Sequence, residues 1–148
     1  MLQDDPRIAQ ALDSALIGFL TAVNQGGQPQ TSPVWFIRDG DTLVVYNKAD
    51  TPRLGSIASN SQMAFHLRGD SQGRGAVLLE GRAVAAPDLG PSYELTVYVE
   101  KYQEEMERIG WTPKTFHDDY PVPIRIEITR VRSWGLDVLG DELPAEHN

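Results

Sequence analysis

Apolar and polar positions along this chain change period several times, and each change marks an element. Ile8, Ala11, Leu12 and Ala15 keep helical spacing behind Asp4, Asp5 and Pro6, which supply a helix start. Leu16 to Val23 (LIGFLTAV) is a short unbroken apolar run, the pattern of a buried strand. Asn24-Gln25-Gly26-Gly27 tolerates positive φ and predicts a hairpin turn, with the return strand over Pro29 to Arg38. Asp39-Gly40-Asp41 predicts a second hairpin into a strand over Thr42 to Asn47, after which Thr51-Pro52 opens a short helix. In Gln62 to Arg68, Met63, Phe65 and Leu67 alternate with Ala64, His66 and Arg68, as in a strand with two unlike faces.

Gly69 to Gly75 carries three glycines in seven residues, so this loop is mobile or tightly turned. Ala76 to Ala86 reads as a long strand in which Gly81 signals a bulge or a close backbone approach. Asp88 to Ser92 then caps a long helix whose apolar stripe is Leu95, Val99, Tyr102, Met106 and Ile109, ending at Gly110. Thr112-Pro113 opens a shorter helix through Phe116 towards Tyr120. The last strand, Pro121 to Val131, sets Ile124, Ile126 and Ile128 against Arg125, Glu127 and Thr129.

Six strands result, most of them joined by tight turns. Hairpin connections make neighbours antiparallel and argue against a doubly wound parallel sheet. The expected fold is mainly β: a six-stranded antiparallel barrel with helices outside it, one domain over residues 1–148, with 139–148 a flexible acidic tail.

Charge narrows the function. Acidic residues outnumber basic ones 21 to 13, for a net charge of −8 and a pI near 4.7, which argues against a nucleic-acid surface. There is no cysteine, which removes thiol catalysis, disulfides and cysteine metal sites. His66, His117 and His147 are scattered without zinc spacing, so no metal site is expected. No apolar segment approaches the roughly 20 residues of a membrane span, and the start lacks a signal-peptide pattern. The expectation is a cytoplasmic protein with neither nucleic-acid nor membrane partners.

One stretch carries chemistry: Leu43 to Asn60, LVVYNKADTPRLGSIASN. A strand delivers the chain to a helix with Thr51 at its N-cap and Pro52 at its first position. The free amides of that first turn attract an anion. Lys48 and Arg53 flank them, and a dianionic phosphate suits ammonium, guanidinium and hydroxyl together. The same signals also describe an ordinary capped surface helix, and the local pattern leaves both readings open.

Five stretches, in this order, resemble a known family. They are Leu16 to Gly27, Thr31-Ser32-Pro33-Val34-Trp35-Phe36, Tyr46-Asn47-Lys48 with Thr51-Pro52-Arg53-Leu54, Glu80-Gly81-Arg82-Ala83, and Arg130-Val131-Arg132-Ser133-Trp134-Gly135. Together they resemble the FMN-binding split β-barrel of the pyridoxamine-phosphate-oxidase-like superfamily. Within it the chain is most similar to the small deazaflavin-dependent reductases that use coenzyme F420. The resemblance covers roughly Leu2 to Asp137.

It implies a cofactor bound at a homodimer interface, its phosphate against Lys48, Thr51 and Arg53. Thr31, Ser32, Pro33 and Val34, with Tyr46 and Asn47, would face the ring system and ribityl chain. The implied activity is hydride transfer between the deazaflavin and a small organic substrate. An FMN-dependent oxidase or reductase, and a non-enzymatic flavin or haem carrier, are the alternatives. The cofactor carries the chemistry, so no catalytic residue is assigned. Related sequences often have two adjacent basic residues where this chain has Pro52-Arg53, with Lys48 the candidate replacement. Trp35, Trp111 and Trp134 can each cover a planar ring; Trp134 is the leading candidate, with core or interface packing as its alternative. Arg74 is a candidate for a polyanionic cofactor tail.

Overall fold

In the computed structural model, which describes residues 1–136, helix α1 (Pro6–Ser14) leads into strands β1 (Gly18–Val23), β2 (Pro29–Val34), β3 (Ile37–Asp39) and β4 (Thr42–Asn47). Helix α2 (Pro52–Ser59), strands β5 (Gln62–His66) and β6 (Ala76–Ala85), helices α3 (Thr96–Arg108) and α4 (Pro113–Asp119), and strand β7 (Val122–Trp134) follow. The expected tail over 139–148, with His147, lies outside the described residues.

The strands form one antiparallel sheet in the order β2-β1-β5-β6-β7-β4-β3. Its edge strands, β2 and β3, are consecutive in the chain, with only Trp35 and Phe36 between them. Three Cα steps reach at most about 11 Å, so the two edges approach each other. The sheet therefore curls into a half-barrel, flanked by the four helices.

The strand count is seven, where the sequence pattern predicts six. The stretch from Pro29 to Arg38 breaks at Trp35-Phe36. There the Phe36 N–H donates to the Tyr102 hydroxyl at 2.8 Å, and the Trp35 ring stacks on Tyr102 at 4.4 Å between centroids. A side chain of α3 takes the amide that a continuous strand would give to a neighbouring strand, and the chain crosses from one sheet edge to the other. The helix expected from Asp88 to Ser92 also starts later. Two short 3₁₀ turns, Pro87–Leu89 and Ser92–Glu94, precede α3. Pro91 disfavours helical backbone at the residue before it, and Gly90 takes φ 68°. The buried face of α3 becomes Tyr98, Tyr102 and Met106, while Ile109 is 54% exposed.

β4 is buried on both faces. Leu43 and Val45 point into the barrel core with Leu20, Phe65 and Ile126. Val44 and Tyr46 point outward into a second core with Tyr98, Tyr102 and Phe116. Burial on both sides is why Leu43-Val44-Val45-Tyr46 is apolar without alternation.

The turns follow local chemistry. Asn24 Oδ1 accepts from the Gly26 and Gln28 amides at 2.9 and 3.0 Å, and Gly27 takes φ 83°. The Gly69 to Gly75 loop is tightly turned: Asp70 accepts from the Gln72 and Arg74 amides and from Arg74 Nε at 2.7 Å. At Gly81 both expectations hold. The β6–β7 register shifts between Glu80 and Gly81, and a Cβ at Gly81 would collide with the Glu127 carbonyl oxygen.

Candidate functional site

β4 ends where β7 begins, because Asn47 pairs with Val122 in the antiparallel register. That pairing places Tyr120, just before β7, beside Lys48, just after β4. Between them opens a cleft of about 430 Å³. One side is polar and cationic, formed by Asn47, Lys48, Thr51 and Arg53. The other is aromatic, formed by Trp35, Trp111, Phe116 and Tyr120. Ile17, Pro33, Val34, Tyr46 and Ile109 complete the rim.

Arg53, on the first turn of α2, is half-buried and held from two sides. Its Nη1 donates to Asn47 Oδ1 and its Nη2 to Ser32 Oγ, both at 2.6 Å. Asn47 is itself pinned, its Nδ2 donating to Val45 O at 3.2 Å and Val122 O at 3.0 Å. This rigid support aims the guanidinium and leaves three of its five N–H donors free of these bonds. Burial holds Arg53 below the ordinary arginine value. Among the described residues no carboxylate is paired with Arg53, and none borders the cleft. A half-buried cation without a counter-charge is costly, and an anionic ligand relieves that cost.

Lys48 is exposed, with Nζ 5.5 Å from the centroid of the Tyr120 ring. Thr51 stands at the N-cap with its side chain making no capping hydrogen bond. Thr51 lines the same rim as the two cations; in the turn that follows, Pro52 carries no N–H and the Leu54 N–H donates to Thr51 O at 3.2 Å, so the Arg53 amide is the donor left there. The Tyr46 hydroxyl donates to Gly90 O at 2.8 Å, and burial pushes its pKa up to about 12. It stays protonated at neutral pH and anchors the strand end.

The aromatic side is rigid. Trp35 lies nearly parallel to Tyr102 (7°) and to Phe116 (15°, centroids 5.2 Å apart). Phe116 stacks in turn on Tyr120 at 4.9 Å. α4, which carries Phe116 and has Tyr120 as its C-cap, begins with a reciprocal capping box between Thr112 and Thr115. An apolar aromatic wall beside a held guanidinium and an exposed ammonium suits a planar ring bearing an anionic group.

The structure brings together Lys48, Thr51, Arg53, Tyr46, Asn47, Pro33 and Val34 around the cleft, and joins Ser32 to it through Arg53. Thr31 and Trp134 are elsewhere. Thr31 Oγ1 bonds Thr21 Oγ1 at 2.7 Å across the exposed face of β1–β2. Trp134 lies at the far end of β7 beside Ala76, its Nε1 donating to Gly73 O at 3.0 Å. Arg74 is paired with Asp70. Ile17, Ile109, Phe116 and Tyr120 border the cleft without having been candidates. Phe116 and Tyr120 had a usable signal, being aromatic residues four apart at the end of the short helix that follows Trp111.

His66 stacks on Phe19 at 5.1 Å, and His117 meets Tyr93 edge-on at 5.2 Å; neither borders the cleft. Among the described residues, no helix is long and apolar enough to cross a membrane.

Solved structures share this fold. A conserved hypothetical protein of Mycobacterium tuberculosis superposes with a TM-score of 0.73 at 21% identity, over 97% of this chain and 92% of that one. A protein described as an F420 reductase superposes with a TM-score of 0.64 at 22% identity, over 83% of this chain and 94% of that one. The haem storage protein of Vibrio cholerae superposes with a TM-score of 0.62 at 14% identity, over 90% of this chain and 97% of that one. No curated protein matches the chain. The family profile of pyridoxamine 5'-phosphate oxidase matches residues 4–135, nearly the whole length, and by that match the chain belongs to the pyridoxamine 5'-phosphate oxidase family.

Proposed function

We propose that this protein is a homodimeric oxidoreductase that binds coenzyme F420 and transfers a hydride between it and a small organic substrate. The observation that carries this reading is Arg53: a half-buried guanidinium, aimed by Asn47 and Ser32 and matched by no carboxylate among the described residues. Arg53 and Lys48 would hold the cofactor phosphate, with the Thr51 hydroxyl and the Arg53 amide. Trp35, Phe116 and Tyr120 would give its ring a flat apolar boundary and keep water from it. When bound, the deazaflavin supplies the hydride chemistry itself. The cleft has no carboxylate or imidazole on its rim among the described residues, which agrees with a site whose chain binds and orients. Ile17, on the cleft rim, and its neighbour Leu16 are 38% and 39% exposed, and a second subunit covering them fits the dimer reading.

A phosphate grip serves FMN equally well, so an FMN-dependent oxidase or reductase is the second reading. Titrating the purified protein with F420 and with FMN separates the two. Micromolar or tighter F420 binding with weaker FMN binding is expected; the reverse order replaces the first reading by the second. A bound, reduced cofactor that no organic acceptor reoxidises would point to a carrier, a role the haem storage neighbour illustrates. Light scattering should give twice the chain mass.

A further inference from the structure

Lys101, on α3, lies outside the cleft, and the proposed chemistry leaves it unused. Its half-buried ammonium donates to two backbone carbonyls, Leu12 O at 3.2 Å and Phe36 O at 2.9 Å. It also sits 3.9 Å from the centroid of the Phe36 ring. Tyr102 grips the same region. Its hydroxyl accepts the Phe36 N–H at 2.8 Å and directs its proton between Leu16 O at 2.8 Å and Phe36 O at 2.9 Å. Two adjacent residues of α3 thus hold both backbone polar groups of Phe36, together with the end of α1 and the residue before Ile17. Phe36 directly follows Trp35, and both Trp35 and Ile17 border the cleft.

We infer that Lys101 is a positioning residue for the cleft: through the carbonyls of Phe36 and Leu12 it straps the β2–β3 crossover to α1 and so sets the plane of the Trp35 ring. That this ring serves a redox cofactor rests on the deazaflavin reading. The strap itself does not.

The charges around Lys101 decide how the strap responds to pH. On α1, Asp13 is engaged by Arg38 of β3, at 3.0 Å to Nε and 2.9 Å to Nη2. Asp39, also on β3, lies 3.8 Å from Arg125. On α3 itself, Glu105 pairs with Arg108 at 3.0 Å, and the Tyr102 phenol is held protonated by its burial. No carboxylate among the described residues bonds Lys101. Burial therefore pulls its pKa down to about 8, with Asp13 opposing weakly. The strapped form binds its proton less tightly than a lysine free in solvent. Raising the pH through about 8 towards the ordinary lysine range accordingly favours the strap, and lowering it favours release of the side chain to water. The neutral amine keeps enough N–H donors for both carbonyls.

The test uses the full chain labelled with 5-fluorotryptophan and no ligand, followed by ¹⁹F NMR from about pH 6 to about pH 11, a range that reaches past the usual lysine titration. Trp35→Phe assigns the Trp35 resonance. The wild-type resonance should move in one step with its midpoint between about 8 and the ordinary lysine value of about 10.4. Lys101→Met should show no such step, and neither should Lys101→Arg, which keeps its proton throughout. Lys101→Arg also preserves a long cationic stem, so it answers the question even where Lys101→Met unfolds. A wild-type Trp35 resonance that stays still, or the same step surviving in either variant, overturns the strap. F420 titration of the same samples should show affinity about three- to tenfold weaker in Lys101→Met, the loss expected when the competent form is only partly populated. Absence of F420 binding in wild type, with the Trp35 step present, refutes the deazaflavin reading while supporting the strap.

Discussion

Replacing Arg53 with alanine tests the point where charge is least matched. The guanidinium has five N–H donors, of which the fold engages one with Asn47 and one with Ser32, each at 2.6 Å. The remaining donors and the charge are available to a phosphate. One charge-assisted hydrogen bond is worth about 1.5–3 kcal/mol, so Arg53→Ala should weaken cofactor binding by roughly 10- to 150-fold. The fold should lose much less. Burial already holds the guanidinium below its ordinary range, so deleting it relieves a desolvation cost. Against that relief, Asn47 Oδ1 and Ser32 Oγ each lose a donor, a loss of about 1 kcal/mol apiece. The two effects oppose each other, and the ligand-free melting temperature should move by no more than about 4 °C. Calorimetric titration with F420 and FMN reads the first number, and a thermal melt of the ligand-free protein reads the second. Arg53→Lys keeps a charge but cannot bridge Asn47 and Ser32 with a planar fork, so it should recover only part of the affinity. Wild-type affinity in an Arg53→Ala protein that melts normally would refute the anion site and the reasoning from unmatched charge with it.

Three further outcomes follow from the same geometry. Lys48→Ala should weaken cofactor binding in low salt and lose most of that effect above about 0.3 M salt, because the ammonium is exposed and its field is screened; equal losses at both salt concentrations would remove Lys48 from the phosphate site. Gly81→Ala drives a Cβ into the Glu127 carbonyl at the β6–β7 bulge, and should destabilise the protein by about 1–3 kcal/mol in a denaturant titration. An unchanged midpoint would show that the two backbones are not in close contact there. Thr112→Ala removes the capping box of α4, with a cost of about 1 kcal/mol, and should weaken ligand binding as well because α4 carries Phe116 and ends on Tyr120 as its C-cap. Lost stability with untouched affinity would separate the aromatic side from the binding site.

The parts of this molecule legible in sequence are those decided by neighbours a few residues away. The turns at Asn24 to Gly27 and Asp39 to Asp41 and the cap at Thr51 all express short-range backbone chemistry, and each lies where the pattern puts it. The break at Trp35-Phe36 was not legible, because the partner that takes the Phe36 amide is Tyr102, 66 residues further on. Asn47 shows the same limit in the site itself. The family resemblance implied a ligand contact for it, yet Val45, Val122 and Arg53 take up its amide, and it acts by aiming the cation. Tyr120 is the most instructive case. Nothing near it in sequence points to Lys48, but the two are brought together as soon as β4 and β7 pair with Asn47 opposite Val122. Strand alternation names the inward face of a strand, whereas register names the residues that stand opposite one another. A search for the ring-binding side of such a cleft therefore belongs just before the strand that pairs with the phosphate-side strand. Trp134 lies at the other end of that same strand, where the chain has already run the length of β6 away from the cations.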